Sequence, residues 1–125
     1  MLSFPPSPQV RIFISRDPVD MRKSFDGLSG VVIDVIDHDP QSGHLFLFFN
    51  RRRTMMKALV WEASGYWVIS KRLNGGRFQV FDRAGEHSTR FELSSSELAL
   101  LLEGIDLRGA TRQRLVHETE ALLDA

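Results

Sequence analysis

The chain has 125 residues, of which 42% are hydrophobic and 26% charged, and its 16 basic and 16 acidic side chains cancel to a formal net charge of zero. This length and composition are typical of one globular domain that buries a core, so we predict a single domain. The absence of cysteine excludes disulfides, thiolate metal sites and thiol nucleophiles. No cofactor is predicted.

The hydrophobic residues do not form a stretch that could cross a membrane. The longest uninterrupted apolar run is Leu45–Phe49, far shorter than the roughly 20 residues that a spanning helix needs. Residues 1–6 lack the basic and then apolar pattern of a secretory signal. We therefore expect a cytoplasmic protein without membrane contact.

The neutral total hides an uneven distribution of charge. Residues 1–50 carry 4 basic and 6 acidic side chains, residues 51–90 carry 9 and 3, and residues 91–125 carry 3 and 7. The three segments have net charges of −2, +6 and −4 by these counts. This pattern indicates a basic middle between acidic ends, although chance clustering on solvated surfaces would give the same counts.

The N-terminal part predicts a strand followed by a helix. Residues 1–9 contain three prolines and read as a flexible lead-in, and Val10–Ile14 has the composition of a short strand. Asp17–Asp20 carries helix-start chemistry, with Pro18 suited to the first helical position. Apolar residues then recur at helical spacing, at Met21, Phe25, Leu28, Val32 and Val35. Alternatively, the helix ends early and Val31–Ile36 begins a strand.

From Gly43 onward the pattern changes to short strands. The predicted strands are Leu45–Phe49, Met55–Trp61, Tyr66–Lys71, Arg77–Phe81 and, as an optional fifth, Arg90–Leu93. Asn74-Gly75-Gly76 is a strong signal for a hairpin turn. These features indicate an antiparallel β-meander of four to five strands.

The C-terminal part predicts helices. Ser94 and Glu97 have the spacing of a capping box, and leucines at helical spacing follow as far as Gly104. A weakly apolar last helix is predicted within residues 111–123. The fold class is therefore a single-domain α+β protein, with an N-terminal helix and C-terminal helices packed on the meander. We expect a lead-in at 1–9, the domain at 10–108 and a C-terminal helix or tail at 109–125.

Strand counting brings distant basic residues to one end of this meander. Successive hairpin turns alternate between the two ends of the sheet, so the turns at 50–54 and 73–76 share one end, and the turn at 62–65 lies at the other. We call the resulting cluster the basic rim. It comprises Arg51, Arg52, Arg53, Lys71, Arg72 and Arg77, and Lys57 extends it along the second strand.

Two kinds of partner suit the basic rim. Arginine guanidinium groups bind phosphate oxygens in pairs, so nucleic acid is favoured as the partner. Alternatively, the rim pairs with the acidic C-terminal part of the chain or with an acidic surface of another protein. Solvation that protects the sheet edge is the third reading.

Catalytic motifs are absent from the sequence. The densest set of possible metal ligands is Asp34, Asp37, His38 and Asp39, with His44 nearby. Residues 37–43 nevertheless have the composition of a solvated turn, so no metal site is predicted. The sequence contains no glycine-rich phosphate loop, Gly-x-Ser-x-Gly elbow or His-Glu-x-x-His helix. We predict a protein without catalytic activity.

Several motifs together resemble a family of bacterial proteins. The matching blocks are Pro18–Leu28, Ser42–Phe46, Phe49–Arg53, Lys71–Leu73 with Gly76–Phe78, and Leu101–Asp106. They resemble, in order and spacing, the TnpB-type accessory proteins encoded by the second reading frame of the insertion-sequence family numbered sixty-six. Met55-Met56 departs from the more polar residues that many relatives have after the arginines, and residues beyond Arg108 fall outside the resemblance.

The resemblance implies a role in DNA transposition beside a separate transposase, which carries the catalytic carboxylates in another chain. It gives no defined biochemical activity for the accessory protein itself. We therefore expect the transposase and other proteins of the same element as partners, with DNA contact through the basic rim. Neither the oligomeric state nor the DNA specificity follows from the sequence.

Overall fold

A computed structural model describes residues 9–80 and 89–103 of the chain. Its strands and helices are β1 (Ile12–Ser15), α1 (Phe25–Val31), β2 (Leu45–Phe49), β3 (Met55–Glu62), β4 (Gly65–Arg72), β5 (Arg90–Leu93) and α2 (Ser95–Leu102). A π-helical segment, Val32–Ile36, continues α1. Residues 1–8 of the predicted lead-in and the predicted helix within 111–123 lie outside the described residues.

The five strands form one sheet in the order β4-β3-β2-β1-β5. The predicted meander is correct for β2, β3 and β4, which pair antiparallel in sequence order, and β5 pairs antiparallel with β1. A purely antiparallel sheet is wrong, because β1 pairs parallel with β2. Parallel neighbours need a long crossover connection, and α1 with its π-helical segment supplies it.

The N-terminal helix begins later than the predicted start at Asp17. The side chain of Asp20 accepts hydrogen bonds from the backbone nitrogen and the guanidinium of Arg22, at 2.9 and 2.7 Å, and so does not cap a helix. The backbone nitrogen of Val19 donates to the carbonyl of Phe49 at 2.9 Å. Residues 17–20 are thus held against β2 by local and tertiary hydrogen bonds, and the regular helix starts at Phe25.

The segment Val31–Ile36 ends a helix and does not begin a strand. Its β-branched residues favour strands in isolation, but Val32 and Ile36 are fully buried beneath the sheet and tertiary packing prevails over that preference. The backbone nitrogen of His38 donates to the carbonyl of Val32 at 3.1 Å, and Asp37 closes the turn in the left-handed region at φ 58°.

The predicted strand Arg77–Phe81 is wrong over its described residues, 77–80. Gly75 and Gly76 turn the chain with positive φ angles of 97° and 73°. The chain does not then fold back as a hairpin strand. The backbone nitrogen of Phe78 instead donates to the carbonyl of Arg53 at 2.7 Å, and the Phe78 side chain is buried in the core. Phe81 lies outside the described residues.

Apolar clusters cover both faces of the sheet. The cluster on the α1 face consists of Phe13, Leu28, Val32, Ile36, Phe46, Phe48 and Leu59. The cluster on the other face includes Met56, Ala58 and Val60 from β3, together with Leu98 and Leu101 from α2. The capping box of α2 is confirmed, since Ser94 Oγ accepts from the Glu97 nitrogen at 3.1 Å and Glu97 Oε1 from the Ser94 nitrogen at 3.0 Å. No helix in the described ranges is long and apolar enough to span a membrane.

Candidate nucleic-acid interface

The turn between β2 and β3 is held by the side chain of Asn50. Its Oδ1 accepts hydrogen bonds from the backbone nitrogens of Thr54 and Met55, at 2.9 and 3.1 Å, and its Nδ2 donates to Thr54 Oγ1 at 3.0 Å. Arg53 closes the turn with a φ of 57°. The three arginines therefore stand on a turn whose backbone is fixed from within.

The strand register places the two basic groups at the same end of the sheet. Met55, the first residue of β3, pairs with Arg72, the last residue of β4. The backbone nitrogen of Leu73 donates to the carbonyl of Thr54 at 2.9 Å, which joins the segment after β4 to the arginine turn. Residues 50–54 and 71–77 therefore meet at one end, as strand counting predicts.

Four arginines of the basic rim share one environment. Their side chains are exposed, and within the described residues they make no hydrogen bond or ion pair. These four, which we call the exposed rim arginines, are Arg51, Arg52, Arg72 and Arg77. Guanidinium groups in this state keep all their donors available to a partner from solution.

Arg53 differs from its two neighbours in the triplet. Its side chain is half-buried, and Nη1 donates to the carbonyl of Val80 at 3.0 Å. Its own carbonyl accepts the hydrogen bond from Phe78. Arg53 therefore ties residues 78–80 to the turn, which is a structural task and not the phosphate contact predicted from the sequence.

The two lysines lie on opposite faces of the sheet. Lys57 is on the α1 face, where Nζ donates to the carbonyl of Lys23 at 2.8 Å. Lys71 is on the α2 face, where Nζ donates to the carbonyl of Leu102 at 2.9 Å. Both charges remain near the rim, but each ammonium group already has a backbone partner.

Sequence reasoning missed two further arginines at this end of the sheet. Because β1 runs parallel to β2 and antiparallel to β5, Arg16 and Arg90 lie at the end that carries the turn after β2. Both are half-buried; Arg16 donates its backbone N–H to the carbonyl of Thr89, and Arg90 Nη1 donates to that of Ile36. No local pattern reveals their position, which depends on the parallel pairing of β1.

A shallow cavity lies behind the arginine turn. It is lined by Ser15, Arg16, Asp17, Pro18, Phe49, Asn50, Arg53 and Val80. A carboxylate and two apolar side chains contribute to this lining, so it suits an anion less well than the open rim does.

With this geometry described, the comparisons with known proteins decide the family. Residues 10–112 match the family described as IS66 Orf2 like protein. The chain belongs to this family. Family membership implies an accessory protein of insertion-sequence transposition, and it agrees with the resemblance found in the sequence.

Two relatives of this IS66 Orf2-like protein come from Sinorhizobium fredii (strain NBRC 101917 / NGR234). The uncharacterized protein y4jC is 29% identical over 115 residues, which cover 92% of this chain and 96% of the relative. The uncharacterized protein y4hO is 34% identical over 104 residues, which cover 83% of this chain and 88% of the relative. No solved structure matches the chain significantly.

The structural task of Arg53 in this IS66 Orf2-like chain leads to a prediction. Arg53→Ala removes the hydrogen bond to Val80, and we expect it to lower the free energy of unfolding by about 1–2 kcal/mol. Arg52→Ala, a matched change at an exposed neighbour, should cost less than about 0.5 kcal/mol. Urea denaturation of both variants measures the difference, and equal losses would contradict a structural task for Arg53.

The histidines of the IS66 Orf2-like chain form an aromatic cluster and not a metal site. The ring centroids of His38 and His44 are 5.7 Å apart, and the His38 ring packs on Phe13 at 4.6 Å. His44 Nδ1 accepts a hydrogen bond from the backbone nitrogen of Arg11 at 3.0 Å. Among the described residues, no three groups of metal-ligating type come together.

This cluster predicts a dependence of stability on pH. Burial, with smaller effects from His38 and Arg11, lowers the pKa of His44 from its usual value of 6.5, while Glu92 acts weakly in the opposite direction. The unfolded state therefore binds a proton more readily, and the free energy of unfolding should fall as pH is lowered from about 7.5 to about 5.5.

The variant His44→Asn isolates this effect. Asparagine does not titrate, and its side-chain oxygen still accepts a hydrogen bond from the Arg11 backbone. We expect a smaller loss of stability between the two pH values than in the unchanged chain, measured by urea denaturation. Identical losses in the two proteins would assign the pH dependence to other groups.

Proposed function

We propose that the chain is a non-catalytic accessory protein of DNA transposition that binds DNA phosphates through the exposed rim arginines. One observation carries this proposal. Four arginine side chains from separate segments project at one end of the sheet, and none of them has a partner among the described residues.

The chemistry of this end of the sheet favours phosphate. Guanidinium groups bind phosphate oxygens bidentately, and each phosphate that is neutralised releases condensed counterions. Such contacts are largely independent of base sequence. Lys57 and Lys71, held to backbone carbonyls on the two faces, add long-range attraction to the same end.

A rigid support strengthens this interpretation. The Asn50 side chain fixes the turn that carries Arg51 and Arg52, and Arg53 fastens the following segment beneath it. Cations held in place lose less conformational entropy on binding than cations on a mobile loop. The division of labour inside the triplet, two contacting arginines and one supporting arginine, is part of the proposal.

The test is the affinity of the chain for double-stranded DNA as a function of salt concentration. Four phosphate contacts predict a slope of log K against log salt of roughly −3 to −4. Transposon-end DNA and unrelated DNA of equal length should bind within about threefold of each other, because phosphate contacts do not read base sequence. A slope near zero would refute phosphate contact.

The second candidate is docking of the basic rim on an acidic surface of the transposase without direct DNA contact. The same exposed charges favour it, since an acidic protein surface also complements arginine. In that case the chain binds the purified transposase equally well before and after nuclease treatment. It then shows no DNA affinity of its own.

A further inference from the structure

Strand β4 forms one outer edge of the sheet. It pairs with β3 over eight consecutive residues, from Gly65 with Glu62 to Arg72 with Met55, without a bulge. In the sheet of described residues, its other side faces no strand. The opposite edge, β5, has only four residues.

The orientation of the β4 backbone follows from the turn that precedes it. Ala63 and Ser64 have φ angles of 52° and 73°, as in the two-residue turn that closes a hairpin with a hydrogen-bonded pair. That pair is Glu62 with Gly65, and hydrogen bonding to β3 then alternates along the strand. The residues whose backbone N–H and C=O groups point outward are Tyr66, Val68, Ser70 and Arg72.

This edge lacks the usual protection against pairing. Exposed edges are normally blocked by proline, a bulge, short length or a charge in the middle of the strand. β4 contains no proline, and its two charges, Lys71 and Arg72, stand together at its end. Its centre carries Trp67, whose surface is 51% exposed. The edge is therefore open to another strand.

We propose that two copies of this chain pair antiparallel through β4, with the twofold axis at Ile69. In this register all four outward residues of each copy pair with outward residues of the other. Tyr66 faces the partner's Arg72, and Val68 faces the partner's Ser70. Shifting the axis to Val68 would keep only three of these pairs, so the register on Ile69 uses the edge most fully.

The side chains are self-complementary in this register. On the α2 face, Trp67 lies opposite the partner's Lys71, and on the α1 face Tyr66 lies opposite the partner's Arg72. Each end of β4 that carries cations thus meets the aromatic end of the other copy, and cations pair favourably with aromatic rings. No two like charges stand directly opposite each other, which selects a second copy as the partner.

The twofold axis has a consequence for the basic rim. Antiparallel pairing aligns the rim end of one copy with the opposite end of the other, so the dimer carries its two rims at opposite ends of one continuous sheet. If the rims bind DNA as proposed above, the dimer bridges two DNA segments. Pairing through β4 itself does not depend on DNA binding, and its test contains no DNA.

Cysteine cross-linking of the full chain tests the register, because the native sequence contains no cysteine. Ile69→Cys places two thiols at directly opposite, non-hydrogen-bonded positions about 4.5 Å apart between Cα atoms, within disulfide range. Under mild oxidation we expect a disulfide-linked dimer that reducing agent dissolves. Circular dichroism of the variant checks that the fold is intact.

Trp67→Cys is the matched control. It is more exposed than position 69, but in the proposed register the two copies of residue 67 are about 13 Å apart, too far for a disulfide. It should therefore cross-link at least roughly tenfold more slowly alone. Mixed with Lys71→Cys, which lies opposite it, it should form the mixed disulfide rapidly, and this pair tests the register even if Ile69→Cys fails to fold.

Sedimentation of the unchanged chain completes the test. We expect a concentration-dependent shift to twice the monomer mass. A monomer at all concentrations up to about 200 μM, equal cross-linking rates at all positions, or rapid linkage of Trp67→Cys alone would overturn the proposal. Pairing of β4 only with an extended segment of another protein would overturn it too.

Discussion

Replacing Arg51, Arg52, Arg72 and Arg77 together by alanine should weaken binding to double-stranded DNA at least roughly 100-fold at about 50 mM salt. Each lost phosphate contact removes one counterion-release term, so the slope of log K against log salt should approach zero. Fluorescence anisotropy with a labelled duplex at several salt concentrations measures both quantities. The free energy of unfolding should change little, because none of these side chains makes an ion pair or hydrogen bond in the described part of the chain.

Arg11→Ala is the matched control for this variant. Arg11 is also an exposed arginine, but it lies at the opposite end of the sheet, where its guanidinium donates to Glu92 at 2.7 and 2.9 Å. Its loss should change the DNA affinity by less than about threefold. Equal effects of the two variants would mean that general charge, and not the exposed rim arginines, governs binding.

The position of the basic rim was predictable because it depends on local signals. The apolar runs of β2, β3 and β4 are separated by short polar turns, and sequential antiparallel pairing follows from short connections. The alternation of turns between the two ends of the sheet then requires residues 50–54 and 73–76 to meet.

The contacts of individual rim residues were not predictable in the same way. Arg51, Arg52 and Arg53 look equivalent in the sequence, yet only Arg53 turns inward to the Val80 carbonyl. The difference arises because residues 77–80 cross beneath the turn and do not form the predicted strand. A turn signal at Asn74–Gly76 specifies a change of direction, but not where the chain goes afterwards.

The parallel pairing of β1 is the main feature of the fold that the sequence conceals. A strand of four residues can pair with any edge that buries its side chains, and the choice depends on the distant segments of the sheet. The burial of all four residues of β1 is explained only by its central place between β2 and β5. The same pairing places Arg16 and Arg90 near the rim.

Phe46→Ala should produce the largest loss of stability, about 3–5 kcal/mol. Phe46 lies in the central strand β2 with no exposed surface, and its ring stacks on Phe13 with centroids 5.7 Å apart. Its removal leaves a cavity between the sheet and α1 that neighbouring side chains cannot fill. Because domains of this size have total stabilities of about 5–15 kcal/mol, urea denaturation should show a large decrease in midpoint.

Phe25→Ala provides a control of the same residue type, since Phe25 remains 48% exposed on α1 and its truncation should cost about 1 kcal/mol or less. The two variants also separate the fold from the interface. At low temperature and without urea, folded Phe46→Ala should bind DNA within about twofold of the unchanged chain, because the exposed rim arginines are borne by turns outside the cavity. A loss of DNA affinity in the folded variant, comparable to that of the alanine-substituted rim, would show that core packing on the α1 face positions the arginines.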